Sequence, residues 1–351
     1  MIKTLSLAIP PLLVGAAVIS HGPSIAPTTP ASPTAPLTMT MVDLASIAAG
    51  ATTFRMPSIA KPAVASSSCP ARSTIRLTAS TPPLKSICAS GGKILVNGSN
   101  AQGFAMSDIV TRGYGPVMRG VNVPDLRVER VSATGARADP TLGLGLVNIS
   151  SGIGHAVFRD VVWIGDTKAP AINGDDAWGA ITLKGKNAKD FGTFEITGFD
   201  FQNLFMAPGS HYRNVDGIST EKGFSGTISN GRVMNASDAC LDIKGDVKVT
   251  NVYLSGCREG LKIWQSQHHG LVELGSNSFA GIIGKGSPSE TRTIEIEVLI
   301  ASGNPDIPLF VAEEGKVILH IGRLVAKSNQ VLKGSGSYSG SQVIVDQRIT
   351  N

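Results

Sequence analysis

The chain has 351 residues, 42% of them hydrophobic and only 16% charged, so it can bury a sizeable core. Its 40 glycines exclude a helical bundle, because each costs about 1 kcal/mol in a helix interior, and 20 prolines without a three-residue period exclude collagen. A net charge of +5 and a pI near 9.0 invite nucleic acid as a partner, but there is no Lys/Arg run and no interleaving of aromatic with basic residues; an anionic glycan or cell surface is the expected counterpart.

Lys3 precedes an apolar stretch, Leu5 to Ile19, that is broken by Pro10 and Pro11, and Ser24-Ile25-Ala26 offers small residues for cleavage. A membrane-spanning helix needs roughly 20 apolar residues. The expectation is therefore a signal peptide over 1–26, no stable membrane span, and a secreted or periplasmic protein. From 27 to 68 the chain is rich in Pro, Ala, Ser and Thr, which leaves little to bury and predicts a flexible segment. Residues 69–351 are expected to form the folded domain, and they hold all four cysteines. Pairing of Cys69 with Cys88 would staple its start. Cys240 and Cys257 read either as a second disulfide or as buried thiols.

From about Gly91 onward, short alternating strands recur between Gly, Asn and Asp, as in Lys93-Ile94-Leu95-Val96, Leu126 to Val131, Ala156 to Val162 and Thr193 to Ile196. No stretch keeps a 3.6-residue period. Three segments align: Val215-Asp216-Gly217-Ile218-Ser219-Thr220, Ala239-Cys240-Leu241-Asp242-Ile243 and Glu259-Gly260-Leu261-Lys262-Ile263. Ala180-Ile181-Thr182-Leu183-Lys184 is a further copy, and Thr293 to Val298 and Lys316 to His320 continue the strand character. A repeat of about 22 residues with strands and no helix predicts an all-β fold, a right-handed parallel β-helix in which inward residues stack in apolar columns.

If Ile181, Ile218, Leu241 and Leu261 point inward, one outward column reads Thr182, Ser219, Asp242, Lys262 and the next reads Lys184, Glu221, Lys244, Trp264. Asp216, Asp238 and Glu259 fall at the strand entrances, after Asp175 and Asp176 one rung earlier. Acids and bases crowd one face, beside an aromatic suited to stacking on a sugar ring. Trp163 reads as core, Trp178 as lining the groove, His155 and His211 as surface, and His268-His269 as a turn.

Within residues 214–263 the blocks Asn214-Val215-Asp216-Gly217-Ile218, Ser237-Asp238-Ala239-Cys240-Leu241-Asp242-Ile243-Lys244 and Glu259-Gly260-Leu261 resemble the successive motifs of the polygalacturonase family, among the pectin-lyase-like β-helices. In this alignment Asp216 and Asp238 hold two of that family's three carboxylate positions. Ala239 stands where the proton-donating aspartate would be, and Glu259 where the family has histidine. The resemblance implies an enzyme that cleaves an acidic, uronate-containing polysaccharide by hydrolysis, or by the β-elimination other members of the superfamily perform. Its candidate catalytic residues are Asp216, Asp238, Asp242, Lys244 and Lys262; Lys184, Glu221, Arg258, Glu259 and Trp264 would bind substrate. Elimination needs the uronate carboxylate neutralised and a base beside it. Calcium on Asp216, Asp238 and Asp242 would serve the first need, and Lys244, Lys262 or Arg258 the second. A catalytically silent, glycan-binding or adhesin-like β-helix is the alternative that the departures at Ala239 and Glu259 favour. The oligomeric state is left open.

Overall fold

The computed structural model describes residues 54, 56–64, 68–137, 145–152, 154–168, 179–185, 192–206 and 214–350. The expected signal peptide, the flexible segment up to residue 53, Asp175, Asp176, Trp178 and His211 lie outside them. Among the described residues all regular structure is strand, and no helix is long and apolar enough to cross a membrane.

Short strands alternate with long ones. The short set is β1 (Ile75–Leu77), β3 (Val96–Ser99), β5 (Pro116–Val121), β7 (Gly145–Ile149), β9 (Gly179–Leu183), β11 (Asp216–Thr220), β13 (Ala239–Ile243), β15 (Glu259–Ile263), β17 (Ala280–Lys285) and β19 (Phe310–Glu313). The long set is β2 (Leu84–Gly92), β4 (Phe104–Tyr114), β6 (Asp125–Ala136), β8 (His155–Gly165), β10 (Gly192–Leu204), β12 (Phe224–Ala236), β14 (Asp246–Ser255), β16 (Gln267–Leu274), β18 (Arg292–Ala301), β20 (Val317–Ala326) and β21 (Gln342–Thr350). The short strands form one 10-stranded sheet and the long ones an 11-stranded sheet, each in chain order and entirely parallel, as in a parallel β-helix or other solenoid. One short strand with the long strand after it makes a rung.

The register explains why alternation in the sequence produces a core. Ile181, Ile218, Leu241, Leu261, Ile282 and Phe310 are successive partners, and all are fully buried. Each thus packs on its copies above and below. Trp163 joins this core, as expected. The long strands bend at one matched position, where Ser86, Asp108, Arg130, Asp160, Gly198, Asn230 and Asn251 share a left-handed conformation (φ between 49° and 66°). Short polar side chains tolerate that region best. Here they also pair up the column: Asn251 Nδ2 donates to Asn230 Oδ1 at 2.8 Å, and Arg130 clasps Asp108 with two bonds of 2.8 and 2.9 Å. At Gly198 an added Cβ would lie 2.7 Å from Asp160 Oδ1.

Both cysteine pairs form disulfides, Cys69–Cys88 and Cys240–Cys257. Of the two readings open for Cys240 and Cys257, the buried free thiols are the one set aside. Their bond closes 17 residues, so replacing both by alanine is expected to cost about 3 kcal/mol, seen as a lower denaturant midpoint. An unchanged midpoint would exclude a stabilising role for the bond.

The expected turn at His268-His269 is instead part of β16. His268 points outward, between Glu295 and Glu297, and His269 points into the core with no exposure. His269 Nδ1 accepts the Val249 N–H at 3.1 Å, while its Nε2 has no partner among the described residues. Burial, followed by the neighbouring His268 and Lys248, pushes its pKa down to about 3. The unfolded chain takes up this proton near the ordinary value of 6.5 and the fold refuses it, so stability is full above that pH and falls between about 6.5 and 3. His269→Asn keeps an acceptor for Val249 but does not titrate. Its unfolding midpoint should depend less on pH across this window than that of the parent; equal slopes would mean that His269 is not the acid-sensitive group.

Residues 54 and 56–64, inside the segment read as a tether, lie along the outer face of the long-strand sheet. The Phe54 N–H donates to Glu273 Oε2 (2.5 Å) on β16, its ring stacks on Tyr253 of β14 (centroids 6.0 Å apart), and the Ala63 N–H donates to Asp108 Oδ1 (3.1 Å) on β4.

Candidate functional site

The outward columns expected from the sequence are present. Thr182, Ser219, Asp242 and Lys262 are successive partners on β9, β11, β13 and β15, and the column continues into Ile283 and Val311. Lys184, Glu221, Lys244 and Trp264 each follow one of these strands and bond to the rung before. Asp216 opens β11, Glu259 opens β15, and Asp238 and Arg258 each precede a strand. Gly217 lets the backbone come close here, because a Cβ at that position would lie 2.3 Å from the Cys240 carbonyl oxygen.

The fold brings most of these residues into one network. Lys262 Nζ lies 3.4 Å from Asp238 Oδ2 and 3.3 Å from Glu259 Oε2. Arg258 Nη1 bridges the same two acids, at 3.3 Å from Asp238 Oδ1 and 2.5 Å from Glu259 Oε1. The Trp264 indole N–H donates to Asp242 Oδ1 at 2.6 Å, and Lys244 Nζ pairs with Glu221 Oε1 at 3.0 Å while lying 5.4 Å from the Trp264 ring centre. Asp216 Oδ1 accepts the Ala239 N–H at 3.0 Å. Lys184 shares the column of Glu221 and Lys244, one rung before Glu221.

Four acids of the network are buried. Asp216, Asp238, Asp242 and Glu259 are each less than a tenth exposed. Loss of solvent, then the charges of Asp242 and Asp238, hold the Asp216 carboxyl well above its ordinary value. Loss of solvent also raises Asp242 and Glu259, despite the opposing pull of Lys262 on both. For Lys262 burial favours the neutral amine, but Asp242, Glu259, Asp238 and Asp216 outweigh it and the pKa goes up. Lys244 rises in the same way, with Asp242 and Glu221 overcoming its burial. Neither lysine therefore has the lowered pKa that a proton-abstracting base requires.

Of the three aspartates expected to hold calcium, Asp238 already pairs with two side-chain cations, Arg258 and Lys262. Among the described residues no group of three or more His, Cys, Asp or Glu is placed to hold a metal ion. What the arrangement offers is three buried carboxyls biased toward their protonated forms, Asp216, Asp242 and Glu259, beside Asp238 paired with two cations.

The network extends one rung beyond the residues read from the sequence. Lys285 Nζ lies 5.1 Å from the Trp264 ring centre and pairs with Glu313 (2.5 Å) and Glu314 (2.9 Å). Arg292 donates to the carbonyls of Trp264 and Lys285 and ties the two rungs together. Phe279, about two-fifths exposed, lies under Arg258, 4.7 Å from its guanidinium carbon. The signal for this rung was available: Ala280-Gly281-Ile282-Ile283 repeats Glu259-Gly260-Leu261-Lys262, which puts Lys285 in the column of Trp264. No known protein family, curated protein or solved structure matches the chain.

Proposed function

We propose that the chain is an exported, pectin-lyase-like parallel β-helix that hydrolyses an acidic polysaccharide at the face bearing Asp216, Asp238, Asp242 and Trp264. The observation that carries this reading is the contrast among the acids. Asp216, buried and crowded by two other aspartates, is biased toward the protonated form that donates to a leaving-group oxygen. Asp238, paired with Arg258 and Lys262, supplies the carboxylate that activates water. Trp264 offers a face for a sugar ring, and Lys244 and Arg258 are the cations best placed to meet a uronate carboxylate. Hydrolysis is preferred to elimination because the site's lysines are held protonated. Two disulfides fit the oxidising setting of a secreted or periplasmic protein.

A catalytically silent glycan-binding protein is the second reading. It is favoured by Ala239 at the position of the family's proton donor and by the built-in partners of Asp238 and Glu259. The test is to incubate the protein with a panel of uronate polysaccharides, with and without calcium, following reducing ends and the ultraviolet absorbance of unsaturated products. Reducing ends without absorbance support hydrolysis, and calcium-dependent absorbance would replace it with elimination. Binding that survives Asp238→Ala, with neither product, would establish the silent reading.

A further inference from the structure

We infer that the outer face of the long-strand sheet carries a peptide-binding groove, filled by the chain's own residues 54 and 56–64 and open to an extended peptide of a partner protein when this strap is displaced.

The strap crosses the strands. Between the partners of Phe54 on β16 and of Ala63 on β4 lie six strand spacings, about 29 Å at ~4.8 Å each. Nine residues of extended chain span about 30 Å. The span is thus close to that of a fully extended chain; Ser58, Ala60, Lys61 and Ala63 face out, while Met56, Pro57, Ile59, Pro62 and Val64 are half-buried.

The recognition chemistry is that of a main chain. Glu273 and Asp108 are buried carboxylates on the outer face, and each accepts a backbone N–H from the strap. Both are held in place independently of it, Glu273 by Ser302 (2.8 Å) and Asp108 by Arg130. Tyr253 meets the one aromatic ring. Between these anchors the floor is an apolar strip, Val110, Val162 and Ile164, edged by the charged Arg112, Asp160 and Asp200.

The strap fits loosely. About 470 Å³ remains between it and the sheet, within the 300–1,000 Å³ range of small-molecule sites, so side chains larger than those of 54–64 have room. A tethered segment competes at an effective concentration in the millimolar range. A loose strap suits a site that is shielded until a better-fitting peptide arrives.

The test uses a labelled peptide of sequence 54–64, a version with tryptophan at the Ile59 position, and a scrambled control. They are titrated into the intact chain and into a full-length variant with Phe54→Ser and Ile59→Ser. The variant should bind the native-sequence peptide about tenfold more tightly than the intact chain does, and the tryptophan version more tightly still. Adding Glu273→Gln should weaken binding by about tenfold, the worth of one bond to a buried charge. The proposal is overturned if a variant with an intact circular dichroism spectrum binds native and scrambled peptides alike, or if the tryptophan version binds more weakly. It is also overturned if the intact chain is a dimer that the strap substitutions dissociate, because the occupant in trans would then be a second copy. Should the double variant not fold, Phe54→Ser alone is read against the same outcomes.

Discussion

Lys262→Ala is expected to cost about 3–5 kcal/mol at neutral pH, the largest stability loss of any single change at the site. The Lys262 ammonium touches Asp238 and Glu259 and adds to the field at Asp242 and Asp216, four acids each less than a tenth exposed. Its removal leaves Asp238 and Glu259 with Arg258, itself nearly half exposed, as their ion-pair partner among the described residues, and leaves Lys244 to oppose Asp242. The sign of the pH dependence follows. A lysine whose pKa is raised by folding contributes in full below its ordinary value of 10.5 and is lost only above it. The parent therefore keeps this contribution from acid to neutral pH. The variant should recover part of its loss on acidification, as the unpaired acids protonate. Denaturant unfolding of both proteins at pH 7 and pH 4 checks this, and a loss equal at the two values would mean that packing, not charge, was removed. Lys262→Met separates the same two causes, because it keeps the stem and discards the ammonium.

Asp216→Asn is expected to abolish hydrolysis and at the same time to stabilise the fold. The amide oxygen still accepts the Ala239 N–H, and its NH₂ group turns a neighbour of Asp238 and Asp242 from a competing acid into a donor. In the parent the folded chain binds the Asp216 proton more tightly than the unfolded chain, whose carboxyl titrates near 3.8. Stability thus falls as pH rises from that value through the raised folded one, and below it the group contributes nothing. The gain in the variant should be about 1–2 kcal/mol at neutral pH, typical of a functional group held at the expense of stability, and should vanish near pH 3. A variant less stable than the parent at neutral pH would show that the carboxylate, not the acid, is what the fold accommodates. Retained hydrolysis would remove Asp216 from the mechanism.

The two predictions depend on different kinds of information. That Asp242 and Lys262 stand side by side was legible from the repeat, because a period of two within each strand and a step of 20 or 23 residues between strands fix every outward neighbour. The pairing of Lys244 with Glu221 followed from the same columns. Protonation was not legible. It depends on how deeply an acid such as Asp216 is buried and on which charges crowd it, neither of which the sequence displays. Nor was the ion pairing of Lys262 legible: three aspartates on neighbouring rungs suggest a bound cation, whereas the fold sets the Lys262 ammonium against one of them, Asp238. Lys285 and Arg292 were missed because the reading of the columns stopped one rung early. His269 was misread because a His-His-Gly run resembles a turn, whereas the register sets alternate residues of β16 inward. The strap was beyond reach, since its residues lie in a stretch without periodicity and two of its anchors are backbone N–H groups that no side chain announces.

The sheets have a further consequence for how the molecule comes apart. Every strand is bonded only to its copies one rung before and one rung after, so cooperativity along the stack is passed from neighbour to neighbour. Fraying should begin where a neighbour is missing and a fastening is absent. The Cys69–Cys88 bond ties down the first rung, whereas β21 pairs only with β20 among the described strands and is exposed along most of its length. Amide hydrogen exchange should accordingly be fastest in β21 and slow progressively toward β14 and β12, where the strap and the Cys240–Cys257 bond hold successive rungs in step.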